Sequence, residues 1–273
     1  MGWLENGPGR RAPVRMKKYP KKPRTYAEKP ERASAGADRR RQRLSRKVSV
    51  LYEDEAVVVL DKPPGLLAVP IKGSHTPSAL SLLAEALRAK RQRALVVHRI
   101  DRFASGALLF AKTGRDREAL IRQFLEHTPV RQYLAVVRGR VEPQTGTLVH
   151  YFRREGMFQQ LRSANDPKAT RAELRYTVER FFDDASLVRV ELVTGLQNQI
   201  RAQFSAMGHP VIGDRKYHRA EASEQLIARV ALHAAGLEFV HPRSGETVSI
   251  DCKLPADFQD LVQELSRPKR VRR

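Results

Sequence analysis

The feature that most restricts the fold of this chain is a succession of short apolar, β-branched stretches closed by turn signals, with few helical patterns between them. Val57-Val58-Val59-Leu60 runs into Lys62-Pro63-Pro64-Gly65, a strand followed by a turn. Similar runs predict strands at 95–97, 107–110, 132–137, 147–152, 172–181, 187–193, 232–240 and 248–250. Four helices are expected. One opens at Thr76-Pro77, with Thr76 as N-cap, and runs to about residue 90; one opens at Thr113 with Asp116 and runs to about 126; two short ones cover 199–207 and 256–264. Strands in such excess, without regular alternation with helices, predict an α+β fold: a mixed, mainly antiparallel sheet with a few flanking helices, not a doubly wound one.

Charge divides the chain. Of 273 residues, 51 are Lys or Arg and 30 are Asp or Glu, a net +21 that calls for a polyanionic partner. Residues 1–46 carry 15 basic and 4 acidic side chains, and 267–273 carry 5 basic and none acidic. The first segment lacks apolar periodicity and is rich in Pro, Gly, Lys and Arg, so it is expected to be a disordered basic arm, the second a basic tail, and 47–266 the folded domain. Such an arm either binds RNA phosphates without sequence preference or merely solubilises the chain. The single cysteine, Cys252, cannot form an internal disulfide and fits a reducing cytoplasm. No apolar run is long enough for a membrane span, and the start has no apolar stretch like that of a signal peptide.

Phosphate-cradling glycine loops, nucleophile elbows and metal-ligand spacings do not occur, so neither a metal nor a cofactor is expected. What remains is a carboxylate among arginines, Arg99-Ile100-Asp101-Arg102, set between two apolar strands and followed by Ser105-Gly106. Alone, that pattern also describes a surface ion pair.

Its companions decide. Val57 through Leu66, then His98-Arg99-Ile100-Asp101-Arg102-Phe103-Ala104-Ser105-Gly106, then Ala111-Lys112, follow one another in order. Tyr133-Leu134-Ala135-Val136-Val137-Arg138-Gly139, Thr194 through Gln203, Gly208-His209-Pro210-Val211-Ile212-Gly213-Asp214, Tyr217, Leu232-His233-Ala234 and His241-Pro242 continue the series. From about Val50 to Leu265 this ordered set resembles the RluA-type family of pseudouridine synthases, which implies that family's catalytic fold and an isomerase that turns uridine in RNA into pseudouridine.

The resemblance implies roles. Asp101 is the catalytic carboxylate, as nucleophile at C1′ or base at C2′. Arg201 pairs with it through a planar fork that fixes its rotamer, or else is a helix-face arginine on phosphate. Tyr133 packs on the target base and helps remove the C5 proton, unless it is a core tyrosine. Ile200 adds an apolar wall or simply packs. Arg99 fills the stack vacated by a flipped base. Arg102 contacts phosphate or a neighbouring acid, Gln199 contacts RNA, and His98 hydrogen-bonds the loop. The chain departs from the family at Leu196 and Asn198, where Arg and His are common, and at Phe103-Ala104. These changes touch substrate contacts and loop hydrogen bonds.

The expected partner is RNA, ribosomal in preference to transfer RNA, bound by a monomer with no membrane involved. Two other classes remain: an RNA-binding or ribosome-assembly factor without turnover, and a metal-dependent nuclease, which would need a carboxylate cluster.

Overall fold

The computed structural model describes residues 48–156, 158–218 and 226–267. The expected basic arm, and the tail beyond Arg267, lie outside the described residues. Among those residues the chain forms strands β1 (Ser49–Glu53), β2 (Val57–Lys62), β3 (Leu95–Val96), β4 (Ser105–Ala111), β5 (Val130–Arg138), β6 (Thr145–Glu155), β7 (Phe158–Arg162), β8 (Thr170–Phe182), β9 (Ala185–Leu192), β10 (Leu232–Val240) and β11 (Thr247–Asp251). The helices are α1 (Ala79–Arg88), α2 (Gly114–Leu125), α3 (Gln199–Ala206) and α4 (Ala256–Leu265).

All strands join one sheet in the order β1-β2-β4-β10-β5-β9-β8-β6-β7, with β11 beside β10 and β3 beside β4. Every pairing is antiparallel except that of β10 with β4. The fold is therefore the mixed, mainly antiparallel α+β sheet expected from the strand pattern.

The unbroken apolar runs of β2 and β4 have a packing cause. Val57, Val59 and Leu109 face one cluster with Leu120 of α2 and Leu237 and Phe239 of β10. Val58, Leu60, Leu108 and Phe110 face another with Ala79, Leu83 and Leu87 of α1. A strand covered on both faces has no polar alternation to show. The largest cluster lies under β5, β8, β9 and β10, closed by Ile200 and Phe204 of α3 and Phe258 and Leu261 of α4.

One local expectation is corrected, and two strands are added. Helix α1 starts at Ala79, not at Thr76-Pro77, because Ser78 and Ser81 form a reciprocal capping box. The amides of Ala79 and Leu80 donate to the carbonyls of Leu67 and Ala68, which anchors the helix start on the incoming strand-like segment. Strands β1 and β7 had no expectation assigned; Phe158-Gln159-Gln160-Leu161-Arg162 lacks alternation and is a strand through its pairing with β6.

The parallel β4–β10 contact determines the site. Ala234 of β10 is level with Gly106 of β4 on one side and with Tyr133 of β5 on the other. The backbones come so close that a Cβ on Gly106 (φ +112°) would lie 2.2 Å from the Ala234 carbonyl oxygen. The segment entering β4, which carries Asp101, is thereby held two strands from Tyr133.

Candidate active site

The loop between β3 and β4 is fastened from three sides. Lys62, the last residue of β2, is fully buried, and its Nζ donates to the carbonyls of Pro63 (2.8 Å), Leu66 (3.0 Å), Arg102 (3.1 Å) and Ala104 (2.7 Å). Burial pushes its pKa down to about 7. Gly65 (φ +87°) donates its amide to the Arg102 carbonyl, and Arg102 Nε donates back to the Gly65 carbonyl at 2.9 Å. The Lys-Pro-Pro-Gly turn and the loop are thus zipped together. At the loop's end Ser105 Oγ lies 2.9 Å from His233 Nδ1, and His233 Nε2 lies 3.0 Å from the Cys252 carbonyl. A carbonyl only accepts, so Nε2 carries the proton and Nδ1 accepts from Ser105.

At its beginning the loop is pinned by His98. Strand β3 ends at Val96, leaving the amide of Leu109 on β4 without a strand partner there, and His98 Nε2 accepts from it at 3.0 Å. The ring stacks on Phe124, with centroids 4.7 Å apart. Burial, then the nearby Arg131 charge, lowers the His98 pKa to about 3. This predicts acid sensitivity. The folded pKa lies below the ordinary histidine value of about 6.5, so between the two the unfolded chain binds the extra proton and stability falls as pH falls. From pH 6.5 to 5 the loss is up to about 2 kcal/mol at about 1.4 kcal/mol per pH unit. Urea midpoints should drop over that range, and less so in His98→Gln, whose amide oxygen can still accept from Leu109. Equal pH slopes in both proteins would refute this source.

Asp101 sits mid-loop with its side chain 16% exposed, and Arg201 Nη1 lies 3.3 Å from its Oδ2. The expected fork is directed elsewhere. Arg201 Nε and Nη2 bind the two oxygens of Asp214, each at 2.7 Å, while Nη1 also donates to Asn198 Oδ1 at 2.8 Å. The bidentate geometry belongs to the buried Asp214, which also accepts the amides of Lys216 and Tyr217. Asp101 receives one remaining N–H. Burial works against the guanidinium's charge, but Asp214 and then Asp101 raise its pKa above the usual value. Asn198, one of the departures from the family pattern, is a left-handed residue (φ 56°) ahead of α3 that supports Arg201.

Beside Asp101 opens a cavity of about 490 Å³, lined among others by Arg99, Asp101, Arg131, Tyr133, Gly195 and Ile200. Tyr133 is buried, and its hydroxyl has no hydrogen-bond partner among the described residues. Burial raises its pKa to about 12, so it stays a neutral phenol near neutrality. Ile200 lies on the cavity wall and also in the main core. Arg99 is exposed at the cavity, without an ion pair among the described residues.

Two expected RNA contacts have other partners. Gln199 lines the cavity, but its amide is engaged within the fold: Oε1 accepts from Thr194 Oγ1 and the Leu196 amide, and Nε2 donates to the Glu173 carbonyl and Gln203 Oε1. Its side chain holds the 194–198 loop in place. Arg102 meets the Gly65 carbonyl and the Phe103 ring rather than a neighbouring acid, and it is not among the cavity-lining residues. Sequence reading assigned no role to Lys62, Asp214, His233 or Arg131. Lys62 and Asp214 each bind a distant element as well as nearby backbone, and the partners of His233 and Arg131 lie far away along the chain, so local spacing signals none of these roles. Among the described residues no three His, Cys, Asp or Glu side chains converge as a metal site requires, and no helix is long and apolar enough to cross a membrane.

The fold and the ordered motifs around this cavity can be set beside known proteins. The family model described as RNA pseudouridylate synthase matches residues 56–206. The chain is 32% identical over 230 residues to a Zymomonas mobilis protein named ribosomal large subunit pseudouridine synthase D, across 80% of this chain and 73% of that one. It is 35% identical over 234 residues to ribosomal large subunit pseudouridine synthase C of Salmonella typhimurium, across 81% and 70%. In fold it is similar to the solved human RNA pseudouridylate synthase domain containing 4, with a TM-score of 0.67, 21% identity, and coverage of 84% of this chain and 97% of that one. From the match over residues 56–206 and the identity along four-fifths of its length, the chain belongs to the RluA-type pseudouridine synthases, isomerases that act on RNA.

Proposed function

We propose that this chain isomerises selected uridines of ribosomal RNA, with Asp101 as the catalytic carboxylate, Arg201 as the residue that positions it, and Tyr133 against the target base. The observation that carries this reading is the placement of the Asp101 carboxylate: at the cavity, 3.3 Å from an arginine whose other nitrogens are locked on Asp214. A carboxylate attacks C1′ or takes the C2′ proton through an oxygen lone pair, and an arginine fixed on Oδ2 holds that carboxylate in one orientation. The uracil, once detached, needs an apolar wall on which to turn; Ile200 and Tyr133 supply one. A target uridine reaches this depth by leaving its stack, and the exposed, unpaired Arg99 suits the vacated space because guanidinium planes stack on bases.

Ribosomal RNA is favoured over transfer RNA because the curated relatives quoted above carry ribosomal large subunit names. The enzyme works as a monomer in the cytoplasm, which the single buried Cys252 suits. Incubation with RNA tritiated at uridine C5 tests the reading: rejoining through C5 expels that hydrogen, so tritium should appear in water. A purified, folded protein that releases none from ribosomal RNA would overturn it.

The basic arm supplies nonspecific affinity in this reading. Deleting residues 1–46 removes a net +11, so affinity for RNA should fall and so should the slope of log K against log salt. Filter binding from about 50 to 200 mM salt measures both. An unchanged slope would refute a phosphate-binding role.

A further inference from the structure

Arg131 is a cavity residue whose charge neither the sheet nor the roles above account for. It lies two residues before Tyr133 on β5, so the two side chains share a face of the strand, and both line the cavity. Only 8% of Arg131 is exposed, yet it forms no ion pair with a carboxylate among the described residues. Its Nη2 donates to the carbonyls of Leu192 (3.1 Å) and Val193 (2.9 Å), and its guanidinium lies 5.7 Å from the centre of the Phe124 ring. Among the described residues its buried Nε has no hydrogen-bond partner and Nη1 has no acceptor. Nη1 occupies room that exists because residue 195 is glycine: a Cβ there would lie 2.7 Å from it.

A guanidinium stays protonated even when buried, so this site holds a positive charge that two neutral carbonyls solvate only in part. A protein retains such an arrangement at low cost when an incoming group completes it. Tyr133 is within electrostatic reach of both Asp101 and Arg131. A base lying on Tyr133 with its sugar carbon at Asp101 would therefore direct its far edge toward Arg131.

We propose that Arg131 binds a carbonyl oxygen of the target uracil and stabilises the negative charge that this ring acquires when it separates from ribose. The proposal rests on the isomerase reading above. When the C1′–N1 bond breaks, its electron pair goes to N1 and spreads onto the C2 and C4 oxygens, whichever way Asp101 assists at the sugar. When C5 bonds to C1′ that charge is withdrawn; the C5 proton then leaves to solvent and N1, now free of the sugar, takes one up. A donor that is itself buried and is aimed at an oxygen that becomes charged lowers the barrier to the first step more than it strengthens binding.

The test compares two substrates. In Arg131→Gln, single-turnover conversion of uridine RNA should slow by about a hundredfold, the size expected for losing one charge-stabilising donor, with RNA affinity unchanged. Consumption of the same RNA carrying 5-fluorouridine at the target should slow by only about tenfold or less, because fluorine stabilises the departing anion and leaves less for Arg131 to do. Arg131→Lys should recover part of the uridine rate. Gly195→Ala gives the same reading without altering Arg131 itself, since its methyl group displaces only the end of a flexible side chain; it should repeat the substrate-dependent pattern. Equal slowing on both substrates would mean a structural role and would overturn the proposal. Weaker RNA binding with an unchanged single-turnover rate would also overturn it and make Arg131 a phosphate contact. If the wild type has no turnover, the isomerase reading falls first, whereas a wild type that turns over beside an unaffected Arg131→Gln removes this inference alone.

Discussion

Asp101→Asn should abolish tritium release from C5-labelled uridine RNA, a loss of at least about ten-thousandfold, while RNA affinity changes by less than about threefold. The amide keeps the shape of the carboxylate and can still meet Arg201 Nη1, so the loop and cavity should persist. What it loses is the charge and the lone pair that attack C1′ or take the C2′ proton, functions that no other described carboxylate at the cavity can assume. Binding depends instead on phosphate contacts and on the cavity wall, which the substitution leaves intact. Release by the variant at the wild-type rate would remove Asp101 from the chemistry. Loss of binding in proportion to loss of rate would make it a substrate contact instead.

The second large effect is expected at a residue that touches no substrate. Asp214→Asn should cost about 3–5 kcal/mol of stability, the range for breaking a buried ion pair from one side. The Asp214 side chain is fully buried, its oxygens hold Arg201 bidentately at 2.7 Å, and one of them also accepts the Lys216 and Tyr217 amides. An asparagine offers one accepting oxygen and turns an N–H toward a guanidinium that cannot accept. The Arg201 charge is then left buried with only Asn198 and the partly exposed Asp101. Urea unfolding should show a much lower midpoint at an unchanged slope. Turnover should fall as well, because Arg201 would be free to pull Asp101 from its position. Arg201→Lys is the companion measurement: it keeps the charge but cannot span Asp214, Asn198 and Asp101 together. An Asp214→Asn midpoint within about 1 kcal/mol of wild type would show that the pair is not the anchor described.

Most strands were legible, for one of two reasons. Stretches such as 57–60 and 107–110 are apolar throughout because both faces are covered, whereas 172–181 alternates because one face is buried and the other is not. Strand β7 was not legible, because Phe158 to Arg162 is strand-like only by virtue of the β6 edge that it pairs with. Thr76-Pro77 looked like a helix start, but the Ser78–Ser81 box and the Leu67 carbonyl outbid it. For the site, the ordered motifs named Asp101, Tyr133, Arg201 and Ile200, and the fold gathers them at or behind one cavity. The same motifs suggested that Arg201 grips Asp101 with its fork and that Gln199 faces RNA. Both side chains are engaged within the fold: Arg201 by Asp214 thirteen positions on, and Gln199 by Thr194, Leu196 and Gln203 nearby and by the Glu173 carbonyl 26 positions away.

By itself the sequence determined the α+β class, nearly all the strands, the two basic ends and the identity of the acid that begins β4's approach, since each depends on interactions within a few residues or on an ordered set of motifs. Only the tertiary structure decided which groups meet. The parallel seam of β4 with β10, tight enough to need Gly106, brings Asp101 to Tyr133. Ser105 and His233 become neighbours through strand register, while Arg201 reaches Asp101 from α3 and Lys62 reaches the Arg102 carbonyl from the end of β2. Register is a property of the whole sheet, because shifting any strand by one residue turns its side chains to the opposite face.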